Sequence, residues 1–431
     1  MADIGCTSAT FTGTGAYERV DDTDQKSPAV RQWREGCNRD VETLSGVHRG
    51  AYPVTTAQRS YLFEPHNPAG MHDFVVVGCG PAGSRFARQA SAAGHDVLAF
   101  EQGTVGEPLA CSGHVSTDLW KFVPDDARPE LFQNEITGAN FHHGGPDSHA
   151  HPFYREEAIS NVIDRVGLDR TLAEAARAAG TDLREDHTVL GVDEHDDHVS
   201  VEVRSPDGVE THDAKMVAGC DGPRSRVRRE LDLPEPDELL HGVLGFTDEP
   251  DHGDRVSVHL TVPTFFAWRI PRGDAGVEYG LAVPPTGDAS GRFEEFTAAY
   301  GVETDHRCSG LIPIGPPESV TGHRSFLLGD AAAQTKPFTG GGIRYGMIAA
   351  DHAAERIDPD DPETLADYET AWRDELGREI RLGSLVRRGY GMPESLQHLG
   401  MRLFQGEIGV HMDRPSTLFS KAQLKAILSR S

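Results

Sequence analysis

Six residues constrain the fold of this chain more than any other part of it: Gly78-Cys79-Gly80-Pro81-Ala82-Gly83. They follow Phe74-Val75-Val76-Val77, an uninterrupted apolar run suited to a strand buried on both faces of a parallel sheet. A segment rich in small residues comes next. Its Phe86, Ala90 and Ala93 fall at helical spacing, so one face can pack closely on a sheet. Gly94 ends that segment, and residues 95–100 read as a second strand that closes on Glu101. GxGxxG alone is a weak signal. With a buried strand before it, a helix after it and an acid at the end of the next strand, it specifies a dinucleotide-binding turn. The glycines permit a tight turn and close approach of the backbone to a pyrophosphate at the helix N-terminus. Glu101 is placed to accept hydrogen bonds from ribose hydroxyls.

That motif does not separate FAD from NAD. Two later segments do. Gly219-Cys220-Asp221-Gly222 follows a strand, and Gly329-Asp330-Ala331-Ala332 follows the apolar run Phe326-Leu327-Leu328. Pro337 and Gly340-Gly341-Gly342-Ile343 come next. Asp330 is positioned for a ribityl hydroxyl, and the glycine cluster opens a helix whose N–H groups face a flavin.

The 431 residues suggest two or three domains. Residues 1–70, which lack helical or strand periodicity, read as a disordered leader or as sequence upstream of a misassigned start. The fold class is α/β. A Rossmann-type FAD-binding domain (71–115, 155–235 and 320–355) interleaves with an antiparallel-sheet substrate domain (116–154 and 236–319), and a helical region (356–431) follows. Helices are expected over 168–179, 341–354 and 361–388. Strands are expected over 186–204 and 209–219, around the turn Pro206-Asp207-Gly208, and within 240–285.

These motifs resemble the para-hydroxybenzoate hydroxylase type of flavoprotein, and within it the geranylgeranyl reductase family. The general group is matched by Gly78 to Gly83, by Arg165-x-x-Leu168-Asp169-x-x-Leu172, by Asp221-Gly222 and by Gly329-Asp330. The narrower family is matched by Gly106-Glu107-Pro108-Leu109-Ala110-Cys111-Ser112-Gly113 and by Phe266-Ala267-Trp268-Arg269-Ile270-Pro271. The family pattern in the second segment is Tyr-x-Trp-x-Phe-Pro. Phe266 and Ile270 depart from it, which removes a tyrosine hydroxyl and keeps an apolar wall.

The resemblance implies FAD as cofactor and an alkene on a polyprenyl chain as substrate, as in archaeal membrane-lipid precursors. It implies that Ala110, Cys111 and Gly113 lie near the flavin and that Arg165 reaches the cofactor. Phe266, Trp268 and Pro271 would face the substrate. Cys111 is a candidate to tune the flavin or deliver a proton, although a free cysteine also behaves as a small buried hydrophobe. Cys79 and Cys220 read as packing residues. The electron donor implied is NADPH or ferredoxin. Two alternatives are a flavin-dependent monooxygenase of an aromatic or apolar substrate and a flavin-binding redox protein without catalysis of its own.

Composition removes other classes. The formal net charge is −27. Residues 1–70 carry seven basic and nine acidic side chains, which leaves −25 on the rest. A chain this acidic is a poor non-specific nucleic-acid binder. Six Lys against 35 Arg, with acidic excess, resembles the surface of a protein from a salt-rich cytoplasm. None of the six cysteines forms a CxxC pair, so thiolate zinc sites are not expected. The 21 histidines show no HExxH or other metal pattern, and most are read as solvated, with no metal. Arg269, Arg272 and Arg344 are read as surface charges rather than holders of a lipid phosphate. No apolar run is long enough to span a bilayer, so the expected location is cytoplasmic, with peripheral membrane contact open.

Overall fold

The computed structural model describes residues 70–107, 111–407 and 413–419. The leader expectation (Gly70 apart) and Ala110 lie outside the described residues.

The apolar run forms the strand Met71–Val77, and Phe74 to Val77 are buried. It pairs in parallel with Val97–Phe100 on one side and with Gly208–Gly219 on the other. Ser325–Leu327 joins the far side of that long strand, again in parallel. Register sets Val77 level with Phe100 and with Gly219, and Gly219 level with Leu327. Four strands therefore end on one edge, and each runs directly into a sequence motif: Gly78, Glu101, Cys220-Asp221-Gly222 and Leu328-Gly329-Asp330. Ligands bind at this edge in open parallel sheets. Asp182–Arg184 extends the sheet beyond Val97–Phe100. The antiparallel strands Val199–Ser205 and Thr188–Glu194 complete its other side. The segment expected as one strand over 186–204 is thus two. His195 to His198 turn the chain, and the His195 N–H donates to the His198 carbonyl at 2.8 Å.

Helix Pro81–Ala92 buries Phe86, Ala87 and Ala90 and packs beside helices Arg165–Ala178 and Ile343–Arg356. Two glycines make its approach possible. Gly78 has φ +95°, and a Cβ there would lie 2.5 Å from the Cys220 carbonyl oxygen. A Cβ on Gly83 would lie 2.0 Å from the Gly78 carbonyl oxygen.

The second sheet has eight strands. Its central run is His306–Ile314, Glu238–Thr247, Val277–Val283, Ala267–Pro271 and Arg255–His259, all antiparallel. Gly138–His142 follows in parallel, then Ala150–Tyr154 and the short Gly406–Glu407. Side chains alternate faces with a period of two. Val243, Ala267 and Leu281 pack against helix Ala289–Tyr300, whereas Gly242, Leu244 and Trp268 face the first sheet's motif edge. A three-stranded sheet of His114–Ser116, Ser160–Ile163 and Phe132–Ile136 stands beside both.

Helix Leu365–Arg388 places Tyr368, Trp372, Leu376 and Ile380 at four-residue spacing in the first core. The Tyr368 hydroxyl donates to the Leu327 carbonyl at 2.8 Å and accepts from Gln334 Nε2 at 3.0 Å. Gln334 Oε1 in turn accepts the Gly329 N–H at 2.8 Å. A distant helix thereby holds the turn that carries Asp330. Tyr368→Phe leaves a buried carbonyl and amide unsatisfied. The expected loss is about 1–3 kcal/mol, read as a lower urea midpoint at unchanged slope; an unchanged midpoint would show that the hydroxyl holds nothing.

Candidate active site

Between the motif edge and the second sheet lies a cavity of about 420 Å³, within the roughly 300–1,000 Å³ range of small-molecule sites. On one side are Gly80, Ala82, Gly329, Asp330 and the 341–343 turn. On the other are Leu244, Trp268, Leu311 and Ile312. Cys111, Ser112 and His114 close one end together with Arg165 and Asp169.

Of the sequence-predicted residues, Gly80, Ala82, Cys111, Arg165, Gly329, Asp330, Gly341, Gly342, Ile343 and Trp268 line this cavity. Gly78 and Gly83 lie behind it in the turn. Glu101 sits at the strand end, where Oε2 accepts the Cys79 N–H at 2.9 Å and so braces the glycine turn. Asp221 is set back from the wall. Its Oδ2 accepts the Arg226 and Val227 N–H groups at 2.6 and 3.2 Å, while Oδ1 is buried without a partner. Gly113, Pro337, Phe266 and Pro271 do not line the cavity. Gly113 (φ +68°) turns the chain against the Ile163 carbonyl. Pro337 packs near Gly383 of the long helix. The Pro271 carbonyl accepts from Asn134 at 3.0 Å within the buried sheet. Phe266 stacks on Phe265 at 4.4 Å between ring centres and meets Trp268 and Tyr390 edge-on.

Three sequence readings need correction. Cys220, read as packing, is on the cavity wall. Arg269, Arg272 and Arg344 are not free surface charges, because each turns toward a carboxylate: Asp251, Glu278, and Asp118 with Asp413, respectively. The reading of the histidines as mostly solvated does not extend to His151 and His259, which are buried, or to His114, which is half-buried at the cavity end. Sequence reasoning also missed Asp169 as a wall residue, although its i,i+4 spacing from Arg165 signals a pair on one helix face. Gly242, Leu244 and Gly310 to Ile312 gave no local signal. They reach the cavity only through strand pairing.

Trp268 is fixed from two sides. Its register partner is Gly280, where a Cβ would lie 2.3 Å from the indole ring, so only glycine leaves room for the ring to lie across the strand. The indole N–H donates to Glu278 Oε1 at 2.8 Å. Glu278 is fully buried. Burial pushes its carboxyl up to about 7, against the pull of Arg272 and of the indole. Arg272 bonds Glu278 Oε2 at 2.8 Å and the Ser112 carbonyl at 2.6 Å. One network therefore positions both the indole and the Cys111–Ser112 segment.

At the cavity end Arg165 pairs with Asp169. Burial opposes the charge of Arg165, and Asp169 and the nearby Cys111 more than offset that, so the guanidinium stays charged. Its Nε has no partner. Asp330 is half-buried on the cavity wall, with no side-chain hydrogen bond among the described residues. Burial raises its carboxyl to about 6, against the attraction of Arg165. Burial lowers His114 to about 4, so it is neutral at pH 7, and its Nε2 lies 2.7 Å from Ser160 Oγ.

These features fit FAD. Helices Pro81–Ala92 and Ile343–Arg356 both begin at the cavity without a side-chain cap or an acid in the first turn, which leaves N–H groups for anionic and carbonyl oxygens. Asp221 Oδ1 and Arg165 Nε are buried polar atoms without a partner, and half-buried Asp330 on the cavity wall has no side-chain hydrogen bond among the described residues. Gly80 faces open space where a side chain would intrude.

Residues 71–254 match the FAD binding domain family. Digeranylgeranylglycerophospholipid reductase 1 of Methanococcoides burtonii is 29% identical over 355 residues, covering 74% of this chain and 84% of that protein. Reductase 2 of Methanothermobacter thermautotrophicus is 29% identical over 340 residues, covering 74% and 87%. Among solved structures, a geranylgeranyl bacteriochlorophyll reductase-like protein of Thermoplasma acidophilum superposes with TM-score 0.70 at 22% identity, covering 83% of this chain and 96% of that one. The p-nitrophenol 4-monooxygenase of Pseudomonas putida superposes with TM-score 0.64 at 19% identity, covering 84% and 97%.

The raised Asp330 carboxyl makes a prediction about flavin-free protein. The folded state holds the proton more tightly than the unfolded state, so the stability contribution of this group is present below about pH 4 and is lost as pH rises through about 6. Asp330→Asn removes that loss. At pH 7.5 the flavin-free variant should melt at a higher temperature than the flavin-free parent, with the gap shrinking toward pH 4. Equal melting temperatures at both pH values would contradict the assignment.

Proposed function

We propose that this flavoprotein of the geranylgeranyl reductase family is an FAD-dependent oxidoreductase that saturates C=C bonds of geranylgeranyl chains in membrane-lipid precursors. The observation that carries this reading is the division of the cavity. One wall is glycine turns and helix N-termini, and the facing wall is Leu244, Trp268, Leu311 and Ile312, with no ionised group among these four. An apolar chain can lie along such a wall, and a charged substrate is disfavoured there. The named reductases, aligned over most of their length, support the same reading.

In this reading the Gly78–Gly83 turn holds the pyrophosphate of FAD and Glu101 a ribose. Asp330 holds a ribityl hydroxyl, and the 341–343 turn lies against the flavin. FAD, when bound, supplies the hydride that an isolated alkene cannot draw from any side chain. The protein orients the chain against Trp268 and keeps water out. Cys111 holds, at Sγ, the proton destined for the second alkene carbon, and the Arg165–Asp169 pair fixes that end of the cavity. Electrons arrive from NADPH or ferredoxin.

Substrate delivery favours peripheral contact with a membrane. Six large hydrophobic side chains are exposed among the described residues, and four of them, Leu385, Met392, Leu396 and Leu399, fall within one short C-terminal stretch. Clustered exposure of this kind marks an interaction surface. Within that stretch Tyr390 packs on Phe266, and Phe266 on Trp268, so the patch leads inward to the cavity wall. No helix among the described residues is long and apolar enough to cross a membrane.

With reduced flavin, the protein should add pairs of hydrogens to a geranylgeranyl lipid, seen by mass spectrometry. Cys111→Ala should retain flavin absorbance and lose about 100-fold in turnover, the usual scale for a general acid. Oxygen consumption with an aromatic substrate and no gain of hydrogen in any prenyl lipid would replace the reductase by a monooxygenase. Separately, the protein should sediment with lipid vesicles at high salt, where charge repulsion is screened. The Leu396→Asp/Leu399→Asp variant should stay in solution with its flavin intact, and equal sedimentation of both proteins would remove the patch as a contact.

A further inference from the structure

A second constellation lies outside the cavity. His143 follows strand Gly138–His142, His151 sits on strand Ala150–Tyr154, and His398 sits on helix Glu394–Phe404. One ring nitrogen from each lies within 4.8 Å of those of the other two. His151 Nε2 and His398 Nδ1 are 3.2 Å apart. A tetrahedral Zn²⁺ with Zn–N bonds of roughly 2.0–2.1 Å holds its donors about 3.4 Å apart.

The outer nitrogens decide what the inner ones can be. His151 Nδ1 faces Gln405 Oε1 at 2.8 Å, so Nδ1 carries the proton and Nε2 presents its lone pair to the centre. His398 Nε2 faces Glu394 Oε1 at 3.6 Å, so its proton belongs on Nε2 and its Nδ1 lone pair also points to the centre. His143 Nε2 is buried without a partner. Two lone pairs then point to the centre, and His143 brings a third ring nitrogen within 4.8 Å of both. A ring nitrogen bound outward to an oxygen and inward to a metal is the arrangement that fixes metal-binding histidines.

We propose that His143, His151 and His398 bind one Zn²⁺ ion, with water completing the shell, and that the ion clips helix Glu394–Phe404 to the hairpin of Gly138–His142 and Ala150–Tyr154. Three neutral imidazoles with no thiolate suit Zn²⁺ and its first-row neighbours rather than Mg²⁺ or Ca²⁺. The site is independent of the reductase reading, because no residue of it lines the cavity.

The test uses full-length flavoprotein purified without a polyhistidine tag, stripped with chelator and titrated with Zn²⁺ against a chromogenic competitor. The parent should take up one equivalent at micromolar free metal. His398→Ala, on a half-exposed helix face, should lose that equivalent while keeping its flavin absorbance, and His195→Ala, on the other sheet, should keep it. Zn²⁺ should also slow amide exchange across residues 394–404 in the parent and not in His398→Ala. Uptake that is unchanged in His398→Ala, or no uptake by the folded parent, overturns the proposal.

Discussion

Backbone hydrogen bonds between parallel strands bring Val77, Phe100, Gly219 and Leu327 to one level, and the chemistry of the first sheet depends on that edge. The four motifs that follow these residues are up to 250 positions apart in sequence. They meet because each strand must stop where its neighbour stops. The apolar residues of the strands supply the burial, and the glycines supply the approach. Without Cβ atoms, Gly78 closes against the Cys220 carbonyl and Gly83 brings helix Pro81–Ala92 against the Gly78 carbonyl. A slip of one residue in any of these pairings would exchange the two packed faces of a strand and offset its end from its neighbours, so the register that builds the core also builds the site.

Charge inside the fold comes in pairs that join segments. Arg165 and Asp169 stand at the cavity end, Arg272 and Glu278 tie strand Ala267–Pro271 to its neighbour, and Lys336 and Asp413 join two turns at 2.6 Å. Desolvation removes much of what each pair gains by attraction, so their net contribution to stability is small. Their effect is geometric. Arg272 holds the Ser112 carbonyl and Glu278 together, and Glu278 holds the Trp268 indole. The cavity's aromatic wall and its cysteine segment are therefore tied to one buried ion pair. Asp330 differs in having no side-chain hydrogen bond among the described residues, so its carboxylate on the cavity wall keeps its full accepting capacity.

What could be read from the sequence follows from locality. The Gly78 turn, Glu101 and the Asp330 turn were legible because each is a strand-to-loop transition with its signal in adjacent residues. Leu244, Leu311 and Ile312 were not, since an alternating strand does not say which face it turns to a distant sheet. Pro271 was misplaced for a related reason. It belongs to the same segment as Trp268, but an odd separation along a strand puts it on the opposite face. The surface reading of Arg272 failed because its carboxylate partner, Glu278, lies across a strand pair rather than along a helix. The histidine cluster was illegible because its ligands come from two strands and a helix 247 positions beyond.

Helix Glu394–Phe404 has its polarity reversed, and this reversal unites the C-terminal observations. In an ordinary surface helix the apolar stripe faces the core. Here Gln397 and His398 face the protein, where Gln397 donates to the Gly389 and Tyr390 carbonyls and His398 meets His151. Leu396 and Leu399 face out. Such a helix gains little from burying its inner face, because polar contacts exchange for water at small net gain. The two proposals would each stabilise the arrangement. A cation shared by the three imidazoles would anchor the inner face without apolar area, and an apolar phase would take up the outer one. Both are absent from a helix that merely packs on a core, and both suit one that stands between a buried prenyl cavity and a lipid surface.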